Sequence, residues 1–159
     1  MYNLKVKILY DSKILIVEDE FIVAQDITMR LKNMGYDIVG VVDNGNDAIK
    51  KTGETQPDIV LMDIDIKGDI DGIDTAQKIY DLYNVPYIYL TGYYDLKTIK
   101  RAKKTESSGY IIKPFDETGL HAAIQMAVYK HKNEQKPVKI SELVKFATEK
   151  AKEINKPLK

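Results

Sequence analysis

The chain has 159 residues, 44% of them hydrophobic and 30% charged, and its 24 basic and 24 acidic side chains cancel to a formal net charge of zero. That length suits one domain with a sizeable core and an appendage, and the balanced charge argues against a generic nucleic-acid or membrane-surface binder. The absence of cysteine rules out disulfides, thiol catalysis and cysteine-bound zinc. His121 and His131 share one helical pattern and read as solvated surface positions, which speaks against a histidine metal site. No apolar run reaches the length of a membrane span and the N-terminus lacks a signal peptide's long apolar core, so a cytoplasmic location is expected.

Residues 1–12 alternate apolar and polar at Leu4, Val6, Ile8 and Tyr10, which fits an edge strand or a loose leader. Lys13–Val17 is a short apolar run of the kind needed by a strand covered on both faces. Glu20–Met34 follows as a helix, with Ile22, Val23, Ile27, Leu31 and Met34 recurring at helical spacing and Gly35 as its stop. Asp37–Val42 reads as the second strand, Asn44–Glu54 as a helix capped by Asn44, and Asp58–Met62 as the third strand, running into Asp63. After the polar loop Asp65–Asp71 comes a helix over Gly72–Tyr83 with Ile73, Ala76, Ile79 and Tyr80 inward. Pro86–Leu90 is the fourth strand, Asp95–Thr105 a helix with Leu96, Ile99 and Ala102 inward, and Gly109–Ile112 the fifth strand. Asp116 caps a helix through Lys130. Beyond a polar break at Asn133–Pro137, Ile140, Leu143, Val144, Ala147, Ala151 and Ile154 recur at helical spacing.

Five successive βα units with right-handed crossovers predict an α/β fold with a doubly wound five-stranded parallel sheet and an additional C-terminal helix. The expected divisions are a leader or edge strand at 1–12, the sheet domain at 13–131, and a linker with an amphipathic helix at 132–159. In such a sheet the carboxyl ends of the strands line one edge, where ligands bind. Glu18-Asp19, Asp63, Thr91 and Lys113 each stand where an apolar run stops. That edge then holds three carboxylates, a hydroxyl and an ammonium. Three crowded carboxylates repel one another unless a hard cation with oxygen ligands intervenes, and the set suits a divalent cation and a phosphoryl group. For single residues a plainer reading stands beside this one: Asp63 as a solvated strand end or helix cap, Glu18-Asp19-Glu20 as charge at a helix N-terminus, Thr91 as a β-branched strand end.

The segments ILIVEDE (14–20), IVLMDI (59–64), YLTG (89–92) and GYIIKPF (109–115) together resemble a response regulator receiver domain of two-component signalling. The resemblance implies a flavodoxin-like sheet of order 2-1-3-4-5, with Asp63 accepting a phosphoryl group from a sensor histidine kinase. It implies Mg²⁺ held by Glu18, Asp19, Asp63 and the backbone carbonyl of Asp65. Lys113 and Thr91 become partners of the phosphoryl group, and Thr91 and Tyr110 a switch pair. A cis Lys113-Pro114 bond is implied as well. The domain is then a phosphoacceptor with self-catalysed phosphorylation and dephosphorylation, not a turnover enzyme. Tyr93 and Tyr94 follow Thr91 and would flank the site or line a partner surface, with Tyr93 modulating water access. One departure stands out. Lys67 occupies the place of a common proline, and Asp71-Gly72 begins eight residues after Asp63 where seven is common, so the loop is one residue longer.

Two alternatives bear on function. Asp63-Ile64-Asp65 resembles the DxD of haloacid-dehalogenase-type phosphatases, but that motif belongs on a first core strand and leaves Glu18-Asp19 unexplained. The chain could also be the receiver part of a longer signalling protein. The expectation is a stand-alone receiver acting on an unknown protein target, without direct nucleic-acid or membrane contact. The resemblance implies that these protein contacts use the face of the fourth helix, fifth strand and fifth helix; that face or the C-terminal helix is also where a homodimer could form.

Overall fold

Alternation of side chains along five apolar strands creates two buried faces, and each face needs its own helical cover. A computed structural model shows how the chain meets that need; it describes residues 12–92, 95–134 and 140–154. The strands are β1 (Lys13–Val17), β2 (Asp37–Val42), β3 (Ile59–Asp63), β4 (Tyr87–Thr91) and β5 (Tyr110–Ile112). The helices are α1 (Phe21–Asn33), α2 (Gly45–Thr55), α3 (Gly72–Tyr83), α4 (Leu96–Lys103), α5 (Glu117–Glu134) and α6 (Ile140–Ile154). All four strand pairings are parallel and the order is β2-β1-β3-β4-β5, the flavodoxin-like order expected. The C-terminal helix is present. Residues 1–11, with the leader or edge-strand reading, lie outside the described residues.

Ile14, Ile16, Ile59, Leu61, Ile88, Leu90 and Ile111 form one buried face with Ile27 and Leu31 of α1 and Leu120, Ile124 and Val128 of α5. Leu15, Val17, Val60, Met62, Tyr87 and Tyr89 form the other, covered by Ala48 of α2, Ile73, Ala76 and Ile79 of α3, and Ala102 of α4. Each fully buried aliphatic side chain contributes about 1.5–3 kcal/mol, so this double core dominates the stability.

Caps explain the helix boundaries. Asn44, Asp71 and Asp95 accept hydrogen bonds from the N–H groups of Asp47, Asp74 and Thr98, and Asp116 accepts from Gly119. Gly35, at φ +95, turns the chain after α1 in a conformation a side chain would strain. Glu20 holds the N-cap position of α1 with no side-chain cap bond.

Three burial expectations need correction. Ile22, part of the apolar repeat, is 81% exposed, because α1 begins at Phe21 and turns Ala24, Ile27 and Leu31 to the sheet instead. Leu96 is 78% exposed: it is the first residue after the Asp95 cap, and Ala102 carries the burial of α4. His121 is half-buried, with Nδ1 2.8 Å from the Tyr36 hydroxyl, and His131 is half-buried too. Smaller differences concern ends. β3 includes Asp63, β5 starts at Tyr110, and α5 continues to Glu134, past the boundary expected at 131.

Among the described residues, one fully buried side-chain polar atom lacks a hydrogen-bond partner, the Tyr87 hydroxyl. Leaving a buried hydroxyl unbonded costs about 1–3 kcal/mol. Tyr87→Phe keeps the ring and removes that cost, so urea unfolding is expected to show a stabilisation of about 1 kcal/mol. A destabilised variant would mean that the hydroxyl is satisfied after all.

Candidate functional site

The carboxyl ends of β1, β3, β4 and β5 are held level by the parallel register. Val17 pairs with Met62, Asp63 with Leu90, and Thr91 with Ile112, so the residues that follow or end these strands meet at one edge. Backbone bonds continue past the strands: Glu18 donates to the Val42 carbonyl at 3.0 Å and Lys113 to the Thr91 carbonyl at 2.9 Å. Side-chain alternation then places Glu18, Asp63 and Lys113 on the α1/α5 side of the sheet, with Thr91 on the side of Tyr87 and Tyr89.

Glu18, Asp19 and Asp63 each offer an oxygen, and these atoms lie within 4.8 Å of one another. Glu18 and Asp63 are buried while Asp19 is half-buried. The Lys113 ammonium stands 2.8 Å from Glu18 Oε2 and 3.2 Å from Asp63 Oδ2. Sequence reasoning paired Lys113 with Asp63; its shorter bond to Glu18 was not foreseen, and no residue pattern signals it. The backbone N–H of Asp65 donates to Asp63 Oδ1 at 3.1 Å, while Asp65 is itself exposed. The Lys113-Pro114 peptide is cis.

Burial pushes the Asp63 carboxyl up to about 7, and the neighbouring Glu18 adds to the rise; Lys113 and the Asp65 N–H pull the other way without prevailing. For Lys113, burial works against the ammonium, but the Glu18 hydrogen bond and the Asp63 and Glu18 charges outweigh it and hold it above the usual lysine range. Three carboxylates facing a single ammonium leave surplus negative charge, and all the donors are hard oxygens. That set fits a divalent cation.

The lengthened β3–α3 loop is tied down at both ends. Lys67, at the common proline place, pairs with Asp43 at 2.7 Å, and Lys67 and Asn44 form a parallel bridge between the β3–α3 and β2–α2 loops. Arg101 of α4 reaches Asp71 at 2.7 Å. Burial disfavours the Asp71 carboxylate, but Arg101 and the Asp74 N–H outweigh it and hold it below the usual range. Gly72 is obligatory here, since a Cβ would stand 2.0 Å from the Asp63 carbonyl oxygen. Neither tie was legible from sequence, because both join charges far apart in the chain.

Thr91 is buried at the end of β4, and Tyr110 of β5 is 46% exposed with its ring centroid 5.7 Å from that of Tyr89. Tyr93 and Tyr94 lie outside the described residues. Sequence reasoning passed over Tyr87 and Tyr89, although the tyrosine repeat of YIYLT was visible; both rings are fully buried beneath Thr91 on its face of the sheet.

A doubly wound parallel sheet with a cation-ready acidic cluster and one lysine at its carboxyl edge defines a class, the flavodoxin-like domains whose site is built from strand ends. Comparison with known proteins narrows this. The response regulator receiver domain pattern matches residues 14–125, and the chain belongs to that family. The transcriptional regulatory protein PdtaR of Mycobacterium tuberculosis is 34% identical over 116 residues, covering 73% of this chain and 56% of PdtaR. The phyllosphere-induced regulator PhyR of Methylorubrum extorquens is 28% identical over 119 residues, covering 74% of this chain and 44% of PhyR. The chain thus spans about half the length of these curated relatives. Among solved structures, the signal receiver domain of a modulated diguanylate cyclase from Desulfovibrio desulfuricans is 39% identical with a TM-score of 0.76, covering 78% of this chain and 98% of that one. Family membership leaves the dehalogenase-type phosphatase reading without support. No described helix is long and apolar enough to cross a membrane.

Proposed function

We propose that Asp63 accepts a phosphoryl group from a sensor histidine kinase and that the acyl phosphate switches a protein-interaction surface. The observation that carries this reading is the meeting of the Glu18, Asp19 and Asp63 oxygens within 4.8 Å, beside an ammonium bonded to two of them. Glu18, Asp19, Asp63 and the backbone carbonyl of Asp65 would hold Mg²⁺. When bound, the ion neutralises charge on the phosphoryl oxygens during transfer.

The chain's own residues do the rest. An Asp63 carboxylate oxygen attacks phosphorus, the bond from phosphorus to the donor breaks, and the donor leaves with that electron pair. Lys113, held at 2.8 Å by Glu18, keeps its place when its bond to Asp63 is exchanged for one to a phosphoryl oxygen. Thr91 donates a hydroxyl hydrogen bond to the phosphoryl group, and Tyr110 moves as Thr91 is drawn in. Hydrolysis of the acyl phosphate returns the resting state, so the reaction is stoichiometric self-phosphorylation.

The output surface comprises α4, β5 and α5. Leu96, Tyr110, Ile112, Met126 and Tyr129 are large apolar or aromatic side chains left exposed on these elements. A downstream protein, or a second copy of the chain, would bind there, with α6 as a second place for self-association. Direct nucleic-acid contact is not part of the proposal, because the chain carries no excess positive charge. A cytoplasmic location accords with a kinase donor. Since the curated relatives are about twice as long, the same switch would equally serve as the receiver part of a longer signalling protein.

The test is intact mass after incubation with Mg²⁺ and acetyl phosphate. One phosphoryl group is expected on the wild type and none on Asp63→Asn; a wild type that gains no mass would sink the proposal. A second expectation concerns pH. Asp63 must lose its proton to hold a cation, and its carboxyl lies at about 7 in the metal-free protein. Calorimetric Mg²⁺ affinity should therefore be flat above pH 8 and fall up to about tenfold per unit below pH 7. Affinity unchanged between pH 8 and pH 5.5 would contradict Asp63 as a ligand.

A further inference from the structure

We propose that Lys67 is a positioning residue, whose ion pair with Asp43 holds the exposed β3–α3 loop in the conformation in which the Asp65 carbonyl can serve a cation. This rests on the reading of that carbonyl as a cation ligand and names the contact that keeps it in place. The loop needs such a contact. Asp65, Lys67, Gly68 and Asp69 are exposed, no proline restricts the backbone between Asp63 and Gly72, and Gly68 stands at φ +107. A glycine-containing loop without buried anchors loses much conformational entropy when it is fixed. At its start the Asp65 N–H bonds Asp63 Oδ1 at 3.1 Å, but that carboxylate is the group that must engage a cation and a phosphoryl group. The next tie along the chain is at Lys67.

That tie is prepared on its far side. Lys67 Nζ lies 2.7 Å from Asp43 Oδ2, and Asn44 Nδ2 donates to Asp43 Oδ1 at 2.8 Å, so the carboxylate is oriented independently of the lysine. Lys67 and Asn44 also form a parallel bridge, which brings a backbone tie and a side-chain tie to one residue. Asn44 in turn caps α2 by accepting from the Asp47 N–H. Asp43 follows Val42, whose carbonyl accepts the Glu18 N–H at 3.0 Å. The pair therefore joins the loop that leaves Asp63 to the strand end bonded to Glu18.

Lys67 is 62% and Asp43 47% exposed, so salt weakens the pair, and the order of the loop acquires a salt dependence of its own. Charge alone would act in the other direction. The Asp43 hydrogen bond holds the Lys67 ammonium above the usual lysine range and the Asp19 charge adds to this, so the ammonium lies in the field of the acidic cluster. As a bare charge it would repel a cation from that cluster; as a positioning residue it favours binding. The two roles differ in sign and can be told apart.

The test uses the full chain as wild type, Lys67→Met, Asp43→Ala, their double variant and Lys67→Arg, with circular dichroism checking that each is folded. Amide exchange at Asp65 and Ile66 is read by NMR in metal-free protein, at low salt and at about 1 M salt, where charges are screened beyond about 3 Å. Mg²⁺ affinity is measured by calorimetry at low salt. In both single variants exchange should quicken about two- to fivefold at low salt, the worth of an exposed ion pair, and the gap should close at high salt. The double variant should be no faster than the singles, because each removes the same pair. It loses one charge of each sign, so a Coulombic effect on the cation largely cancels, yet its Mg²⁺ affinity should still fall about two- to fivefold. Lys67→Arg keeps the pair and should match the wild type in both measurements. Exchange unchanged in both single variants would overturn the proposal, and so would a double variant that binds Mg²⁺ as tightly as the wild type. A wild type that binds no Mg²⁺ defeats the cation reading of the site, whereas exchange in the metal-free protein judges the hold of Lys67 on the loop whatever that result.

Discussion

Lys113→Met is expected to destabilise the metal-free protein at pH 8 by about 3–5 kcal/mol in urea denaturation, the typical cost of stripping one partner from a buried ion pair. Glu18 is 2% exposed and Asp63 5% exposed, and Lys113 is the described cation within bonding distance of both. Methionine matches the length of the lysine stem but leaves two buried carboxylates facing each other. Relief comes from protonating one of them, so the deficit should shrink as pH falls toward 5. Mg²⁺ supplies charge where the ammonium is missing and should restore part of the stability in proportion to its occupancy. A variant as stable as wild type at pH 8 without metal would show that Lys113 is not the counter-charge of this pocket.

Asp63→Asn should do the opposite, stabilising the metal-free protein at pH 8 by about 2–4 kcal/mol. The Asp63 carboxyl stands at about 7 in the folded chain against an ordinary 3.8, chiefly because burial penalises its charge, with Glu18 adding to the rise. Between those two values the folded state binds the extra proton. Wild-type stability from this group is therefore fully present below about pH 4, declines as pH rises toward 7, and is flat beyond. Asparagine has no proton to lose, so the two proteins should converge near pH 4 and diverge up to pH 7. Mg²⁺ should narrow the gap at pH 8, because it stabilises the charged wild type and has one ligand fewer on the variant. Parallel stability curves from pH 4 to pH 8 would mean that Asp63 is not under strain from its neighbours. The pair of variants separates the two charges of the site, one that the fold needs and one that the fold tolerates for the sake of chemistry.

Much of the architecture was legible in the chain. KILIV, DIVLM and GYII are continuous apolar runs, and such runs occur where a strand is covered on both faces. The intervening helical periodicities and the caps at Asn44 and Asp116 made the connections βα units, and the handedness of such units restricts the sheet to few orders. Glu18, Asp19, Asp63 and Lys113 could be nominated because a polar residue at the end of a buried strand falls on a known edge. Burial at helix starts was harder. Ile22 and Leu96 continue the apolar stripes but sit in first turns, where the entering loop and not the periodicity sets which way a side chain faces.

Local patterns thus settled which residues form strands, which edge carries the polar ones, and hence the family resemblance, because hydrophobic alternation and capping act over a few residues. Folding in three dimensions decided the partners: Lys113 lies closer to Glu18 than to Asp63, Lys67 staples the longer loop to Asp43, and Tyr89 rather than Tyr87 holds Thr105. Each of these is a choice among groups brought together from distant parts of the chain, made by differences of an ångström in packing, and distances of that kind have no signature in the order of the residues.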